Sequence, residues 1–463
     1  MVFLLAPLVA VCAQEPSQPL TNAQHDAEIR ELHQQLNQIA ARLAVLEAST
    51  HDSTTGEVAA PSKTTHDAPA ALPIVQTPAP NAVPATPQTA EVTQQDAETL
   101  HFFRGTTFTF GVDGYYGYNF NSPAGRVNLL RPYDVTSNSF NINQASIIVE
   151  HLPTPQERFG GRIDLMFGQA TEAQQGSSAN ELRPQAWRNL YQAYGSYLVP
   201  IGSGLQLDFG KWASSLGSEG NYTKDQIAYS RSYSFSYLPF YHMGLRAIYT
   251  FSPRASMTYW LVNGINDTED QNGFKSQGFL FALKPASSLT WNVNYYFGQE
   301  APDVVASTTS QPGLPTGTIQ PTPNGRTHIF DTYVTWNATP KLMLIGQADF
   351  GLNRTYQQEQ PKHVAIGGLI ARYSLPRNWN VGARVEYLDD RSGIFSQKIQ
   401  ALKEGTVIVD HLFAPGFIAR AEYRRDFSNQ PYFPTSKATV LTHAQDTATL
   451  GLIYWWGTKQ GGW

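Results

Sequence analysis

Residues 106–120 read TTFTFGVDGYYGYNF. Phe108, Phe110, Val112, Tyr116, Tyr118 and Phe120 share one parity, while Thr107, Thr109, Asp113 and Asn119 share the other. Successive side chains of a strand point to opposite faces, so this period of two describes a strand with one apolar and one polar face. The pattern returns in residues 289–297 (LTWNVNYYF), 379–387 (WNVGARVEY) and 417–424 (FIARAEYR). There Arg384, Glu386, Arg420, Glu422 and Arg424 all point away from the apolar side. Charges in strict alternation with aromatics suit a wall between lipid and a water-filled lumen better than a soluble core.

Working outward from these runs, sixteen such segments begin near residues 106, 140, 160, 190, 205, 242, 256, 277, 289, 327, 341, 363, 379, 399, 417 and 440. Those near 140, 363 and 399 are weakly patterned, so counts from fourteen to eighteen stay open. Every second connection is short and rich in turn residues: 152–158, 200–204, 252–256, 284–288, 337–341, 374–378 and 414–416. The alternate ones, such as 121–139, 169–189, 213–241 and 299–325, are long and polar. Tight turns on one side and long loops on the other mark an outer-membrane barrel. A span without long apolar helices satisfies its backbone only as a closed barrel. The fold class expected is therefore all-β: a transmembrane antiparallel β-barrel of about sixteen strands over residues 102–463. Trp212, Trp260, Trp336, Trp379, Trp455 and Trp456 lie near segment ends and are expected to form interfacial girdles.

The composition agrees. Charged residues make up 15% and aromatics 12% of the chain, yet mean hydropathy is −0.32, too polar for a helical membrane protein. A net charge of −5 without a basic run points away from nucleic acid. Of all the aromatics, Phe3 alone precedes residue 101. Residues 2–11 carry the short apolar core of a signal peptide, with cleavage expected after Ala13 and the mature chain starting at Gln14. Cys12, the single cysteine, also admits a lipoprotein reading; it excludes a disulfide framework and a Cys-based zinc site. In residues 26–48, Ile29, Leu32, Leu36, Ile39, Leu43 and Leu46 fill three successive a/d heptads, the seam of a coiled coil. The mixed Ile/Leu seam leaves two strands and three both open. Residues 49–98, with seven prolines and no aromatic, form an extended linker. An even strand count puts both barrel termini on one side, which places the coiled coil in the periplasm.

The run FGKWASSLGSEGNYTKDQIAYSRSYSFSYLPFYHMGLRAIYTF (209–251) resembles the "putative beta-barrel porin-2" or OmpL-like family of bacterial outer-membrane porins. The resemblance rests on Tyr229, Ser230, Arg231 and Ser232, then Pro239, Phe240, His242, Gly244 and Arg246, and on the closing GLIYWWG (451–457). It covers about residues 102–463 and implies a porin of undefined substrate without catalytic residues. The habit of large porins makes a trimer the favoured homo-oligomer.

Neither a GxSxG elbow, HExxH, P-loop nor dinucleotide fingerprint occurs in the sequence, so no enzyme activity, cofactor or metal is expected. His242 and His328 read as rim or lumen residues. By alternation, the pore-lining charges are Asp113, Arg162, Asp164, Asp208, Arg246, Asp331, Asp349, Arg384, Glu386, Arg420, Glu422 and Arg424. Five positive against seven negative make no single-sign filter. The connection 213–241 packs Tyr222, Tyr229, Tyr233, Phe235, Tyr237, Phe240 and Tyr241 together with Lys224, Asp225 and Arg231. So much aromatic surface is unfavourable in water. The loop either folds inward as a constriction, with Lys224, Asp225, Tyr229, Arg231, Tyr233 and Phe235 at the narrowing, or packs on the rim or a neighbouring subunit. In the first case Arg231 and Lys224 are expected opposite Asp331 or Asp349. The function expected is diffusion of small hydrophilic solutes through an outer-membrane channel surrounded by lipid. The alternatives are a tethering protein whose coiled coil grips another envelope component, and a barrel enzyme whose site, with His242 or His328, is assembled from separate strands without a linear motif.

Overall fold

The computed structural model describes residues 103–459 apart from 177–180, 182 and 304–322, together with Gly462. The expected signal peptide, coiled-coil seam (Ile29 to Leu46), linker and terminal Trp463 lie outside the described residues.

Sixteen strands close into one antiparallel barrel. In chain order they are β1 (Thr106–Asn119), β2 (Ser139–His151), β3 (Phe159–Phe167), β4 (Leu190–Val199), β5 (Leu205–Ala213), β6 (Tyr241–Ser252), β7 (Ala255–Val262) and β8 (Ser276–Ala286). Then follow β9 (Leu289–Gly298), β10 (Thr327–Asn337), β11 (Leu342–Asn353), β12 (Lys362–Ser374), β13 (Trp379–Asp390), β14 (Gln400–Ala414) and β15 (Phe417–Ser428). A two-stranded hairpin, β16 (Phe433–Pro434) with β17 (Leu441–Thr442), decorates the last long loop before β18 (Ala444–Gly457). β18 pairs with β1 from Thr109↔Gly457 to Asn119↔Thr447 and closes the ring. Closure pairs every edge, which is how a sheet satisfies its backbone in hydrocarbon. Among the described residues no helix is long and apolar enough to cross a membrane.

The alternation read from the sequence holds across neighbouring strands. Phe108 pairs with Val149 on the outer face, and Asp113 with Gln144 on the inner one. Between Asp113 and Gly114 the register shifts, leaving Asn143 as an extra residue in β2. That bulge explains the weak pattern near residue 140: Phe140 and Ile142 face out on one parity, Ile147 and Val149 on the other. Asn143 turns its amide to the Asp113 carboxylate (3.0 Å).

The tryptophans correct the girdle expectation in part. Trp336, Trp379 and Trp456 are exposed on the outer face at the short-turn end of the barrel. Trp212 and Trp260 are almost fully buried, each directly beside an inward residue: Trp212 pairs with His242, Trp260 with Arg246. They are inner-wall residues. Trp455 is also inward, 5.8 Å from the Lys224 ammonium. Parity decides this: position near a strand end says nothing about which face a side chain takes.

The largest apolar cluster lies inside the barrel. Ile329 of β10, Val364 and Ile366 of β12, Leu388 of β13 and Leu402 of β14 cluster with Tyr233, Tyr237 and Leu238 from the connection between β5 and β6. The inward faces of these strands are apolar where that connection presses on them.

Candidate functional site: a segment across the lumen

Residues 214–240 join β5 to β6 and run through the barrel interior. Chain in irregular conformation must still satisfy its amides and carbonyls, and each buried one left unmade costs about 1–3 kcal/mol. The wall supplies the partners. Ser215 Oγ donates to Asn294 (3.1 Å), Gly217 N to Asp331 (3.0 Å), and Ser218 N to Gln347 (2.9 Å). Farther along, Tyr229 N and Ser230 N donate to Glu422 (2.7 and 3.2 Å), and Tyr233 N and Ser234 N to Glu386 (2.7 and 3.2 Å). These contacts span β9, β10, β11, β13 and β15, so the segment crosses the lumen.

Its tyrosines anchor the remaining sides. Tyr222 OH donates to Asp164 of β3, Tyr229 OH to Asp113 of β1 (2.7 Å), and Tyr233 OH to Asp426 of β15 (2.7 Å). Two wall glycines make the room. A Cβ on Gly451 would stand 2.3 Å from the Tyr229 ring, and one on Gly351 would overlap the Tyr237 hydroxyl. Ser232 caps the helical turn Tyr233–Tyr237 by accepting from Phe235 N (3.0 Å). Gly217, at φ +89°, takes the left-handed bend that brings the chain inward from β5.

All twelve charges read as pore-lining sit on the inward parity, yet the segment and their neighbours enclose most of them. Arg162 pairs with Asp164 (2.8 Å) and Glu150 (3.0 Å), Arg246 with Asp208 (2.7 Å), and Arg420 with Asp410 (3.4 Å). Arg384 bridges Glu404 and Glu219 (2.8 Å each) and donates to Ser230 O (2.9 Å). Arg424 pairs with Asp426 (2.7 Å) and donates to Arg231 O (2.6 Å). Asp349 accepts from Gln347 (3.1 Å) beside Asp331, its direct partner across the ladder.

Of the loop residues, Tyr229, Arg231, Tyr233 and Phe235 are buried, and Lys224 forms an ion pair with Asp225 (2.6 Å). Arg231 is not opposite Asp331 or Asp349. Its guanidinium donates to the carbonyls of Gly220 (3.0 Å), Asn221 (2.9 Å) and Tyr229 (2.8 Å) and lies 4.5 Å over the Tyr133 ring. A planar fork of donors binds several carbonyls at once, so Arg231 clamps the two limbs of the segment to each other. Lys224 lies under Trp455, also away from that carboxylate pair. Arg131, Asp134, Glu219, Glu404, Asp410 and Asp426 belong to the same network. Asp426 is two residues beyond the alternating run 417–424 and follows its parity; Arg131 and Glu219 lie in loops, where no parity exists.

His242 is buried, stacked on Tyr296 with ring centroids 5.8 Å apart. His328 is on the outer parity at the rim, with Nδ1 2.8 Å from Tyr295 Oη.

The described residues form a closed barrel of sixteen strands with a chain segment inside, and a family model described as "Putative beta-barrel porin-2, OmpL-like" matches residues 105–455. The chain belongs to that family. This porin-2 member is thus an outer-membrane porin, a β-barrel diffusion channel. Among curated proteins none matches it by sequence. In fold it is similar to the loop-L8 deletion mutant of OmpT, an outer-membrane protein of Vibrio cholerae: 10% identity, TM-score 0.49, covering 76% of this chain and 99% of that one. The outer-membrane channel DcaP of Acinetobacter baumannii gives 10% identity and TM-score 0.48 over 76% of this chain and 97% of its own. The high-pH structure of Pseudomonas putida OprB gives 12% and 0.49 over 78% and 96%.

Proposed function

We propose that small hydrophilic solutes cross this porin under the control of residues 214–240, which act as its constriction. The observation that carries the reading is the set of hydrogen bonds tying the segment to strands on opposite sides of the lumen. A sixteen-strand barrel encloses more width than its own side chains fill. Sieving therefore falls to chain inside it. The twelve inward charges act mainly as anchors for the segment, and Tyr229, Arg231, Tyr233 and Phe235 give it a fixed shape. No catalytic step is assigned to His242 or His328, each held by a ring or hydroxyl contact. Residues 26–48 serve as a periplasmic coiled coil that associates the chains, with a trimer favoured.

Deleting residues 222–236 tests the reading. Single-channel conductance in planar bilayers is expected to rise several-fold, with the barrel still heat-modifiable on gels. Unchanged conductance removes the segment from the solute path. Absence of any conductance in the intact chain favours the tethering alternative.

A further inference from the structure

Charges of both signs in the barrel interior are taken up by one another, by the wall or by the transverse segment. Asp113, Asp331, Glu386 and Glu422 are occupied by hydroxyls, amides and backbone N–H groups of the transverse segment or wall. Two cations at the long-loop mouth are not so engaged. Lys362 opens β12 on the inward parity, directly across the ladder from Asn353, and Arg354 follows Asn353 just past the end of β11. Both are exposed, and among the described residues neither has a carboxylate at ion-pair distance.

Both line one cavity of about 320 Å³ between the mouth and the helical turn of the segment. Its remaining wall is mixed: Tyr237, Ile265, Ile329 and Ile394 form an apolar side, and Thr327, Asn353, Thr355, Ser392 and Gln397 a polar one. Glu300 is the carboxyl on the lining, and it is committed elsewhere, accepting from Ile265 N (2.9 Å) and Tyr296 OH (2.5 Å). Two cations on one cavity with no carboxylate at ion-pair distance give it a positive field that attracts an anion. The apolar side of the wall gives a carbon body on that anion a surface to lie on.

We propose that this cavity is an entry site for small organic anions, with the anionic group between Lys362 and Arg354 and the apolar body on Ile265, Ile329 and Tyr237. This rests on the porin reading, since it places a solute site at the mouth of the channel. It predicts a preference for anions that the count of inward charges does not show, since the inward charges of both signs are spent on the segment or on one another while Lys362 and Arg354 are exposed at the mouth.

Calorimetry of the purified full chain in detergent, with benzoate and its neutral isostere benzamide, tests the proposal alongside bilayer recordings. Benzoate is expected to bind and to interrupt single-channel current, and benzamide to do neither. The double variant Lys362→Gln, Arg354→Gln is expected to weaken benzoate about tenfold, as the loss of two exposed charge contacts implies, while Lys362→Arg retains affinity. Both substitutions are at exposed side chains, and heat-modifiable mobility reports that each variant is folded. Equal binding of the two probes, no binding of benzoate, or a double variant indistinguishable from the parent overturns the proposal. Conductance without benzoate binding sinks the site and leaves the porin reading intact. Benzoate binding without conductance does the reverse.

Discussion

At the scale of single residues, the placement of the segment depends on atoms that are missing from the wall. Gly451 faces inward between Arg420 and Tyr115 in the ladder, and the Tyr229 ring occupies the space its side chain would take. Gly451→Val is expected to expel that ring and break its hydroxyl bond to Asp113, at a cost of about 1–3 kcal/mol to the bound segment. Bilayer recordings should then show larger or noisier openings from a barrel that still assembles; a parental trace means the ring found other room. Glu300 makes the second residue-scale case. It follows β9 in the outer loops, and burial pushes its carboxyl up to about 7. The folded pKa is raised above the unfolded value near 4.5, so the folded loop binds the proton more tightly. The stabilisation is complete below about pH 4.5 and is lost as pH rises through about 7, a span of about 3 kcal/mol. Asp267 is pushed to about 9 by burial and by the charges of Asp270, Glu181 and Glu300, which extends the loss upward. The protection factor of the Ile265 amide, whose N–H Glu300 accepts, is expected to fall across that window. That factor divides out the intrinsic rise of exchange with pH. In Glu300→Gln the dependence should flatten; a profile as steep as the parent's assigns it to Asp267.

Among elements, parity along a strand separates environments, but the inner one is not uniformly wet. On β13, Val385 and Tyr387 are exposed on the outer face, while Arg384 and Glu386 are buried beneath the segment. Cysteines at Phe108, Val293, Val385 and Ala421 are expected to react with lipid-soluble thiol reagents only. Cysteine at Asn292, on the half-buried inner face of β9, should react with water-soluble reagents. At Arg384 and Glu422 that reaction is expected to wait for deletion of residues 222–236. A cysteine at Val385 that reacts with charged reagents instead would mean a register slip, since one residue inverts every side chain. The weak segments near 140, 363 and 399 had separate causes. Near 140 a bulge at Asn143 breaks the parity. β12 puts Val364, Ile366 and Ile370 inward against the segment, so both of its faces are apolar. β14 carries Lys403 on its exposed outer face, where alternation predicts an apolar residue.

For the whole molecule, association is the property that the sequence assigns to residues 26–48. Replacing Leu36 and Ile39 with glutamate is expected to reduce the mass seen by light scattering of the detergent-solubilised protein. A mass equal to the parent's moves the contact to the barrel wall. The sequence by itself determined the barrel, a strand number of about sixteen and the inward position of all twelve charges, and the closed ladder fixed that number at sixteen. It could do so because period-two alternation and turn chemistry are local, each legible within a dozen residues. Only the tertiary structure decided that residues 214–240 cross the lumen. Their partners, Asp113, Asp164, Asp331, Glu386 and Glu422, are scattered along the chain, and irregular backbone has no period to reveal its direction. The role of Arg231 was hidden for the same reason. In the sequence it is a loop cation free to face water; in the fold it is enclosed by four backbone carbonyls, those of Gly220, Asn221, Ala228 and Tyr229, and an aromatic ring, a bond set that exists only once both limbs of the segment are inside the barrel.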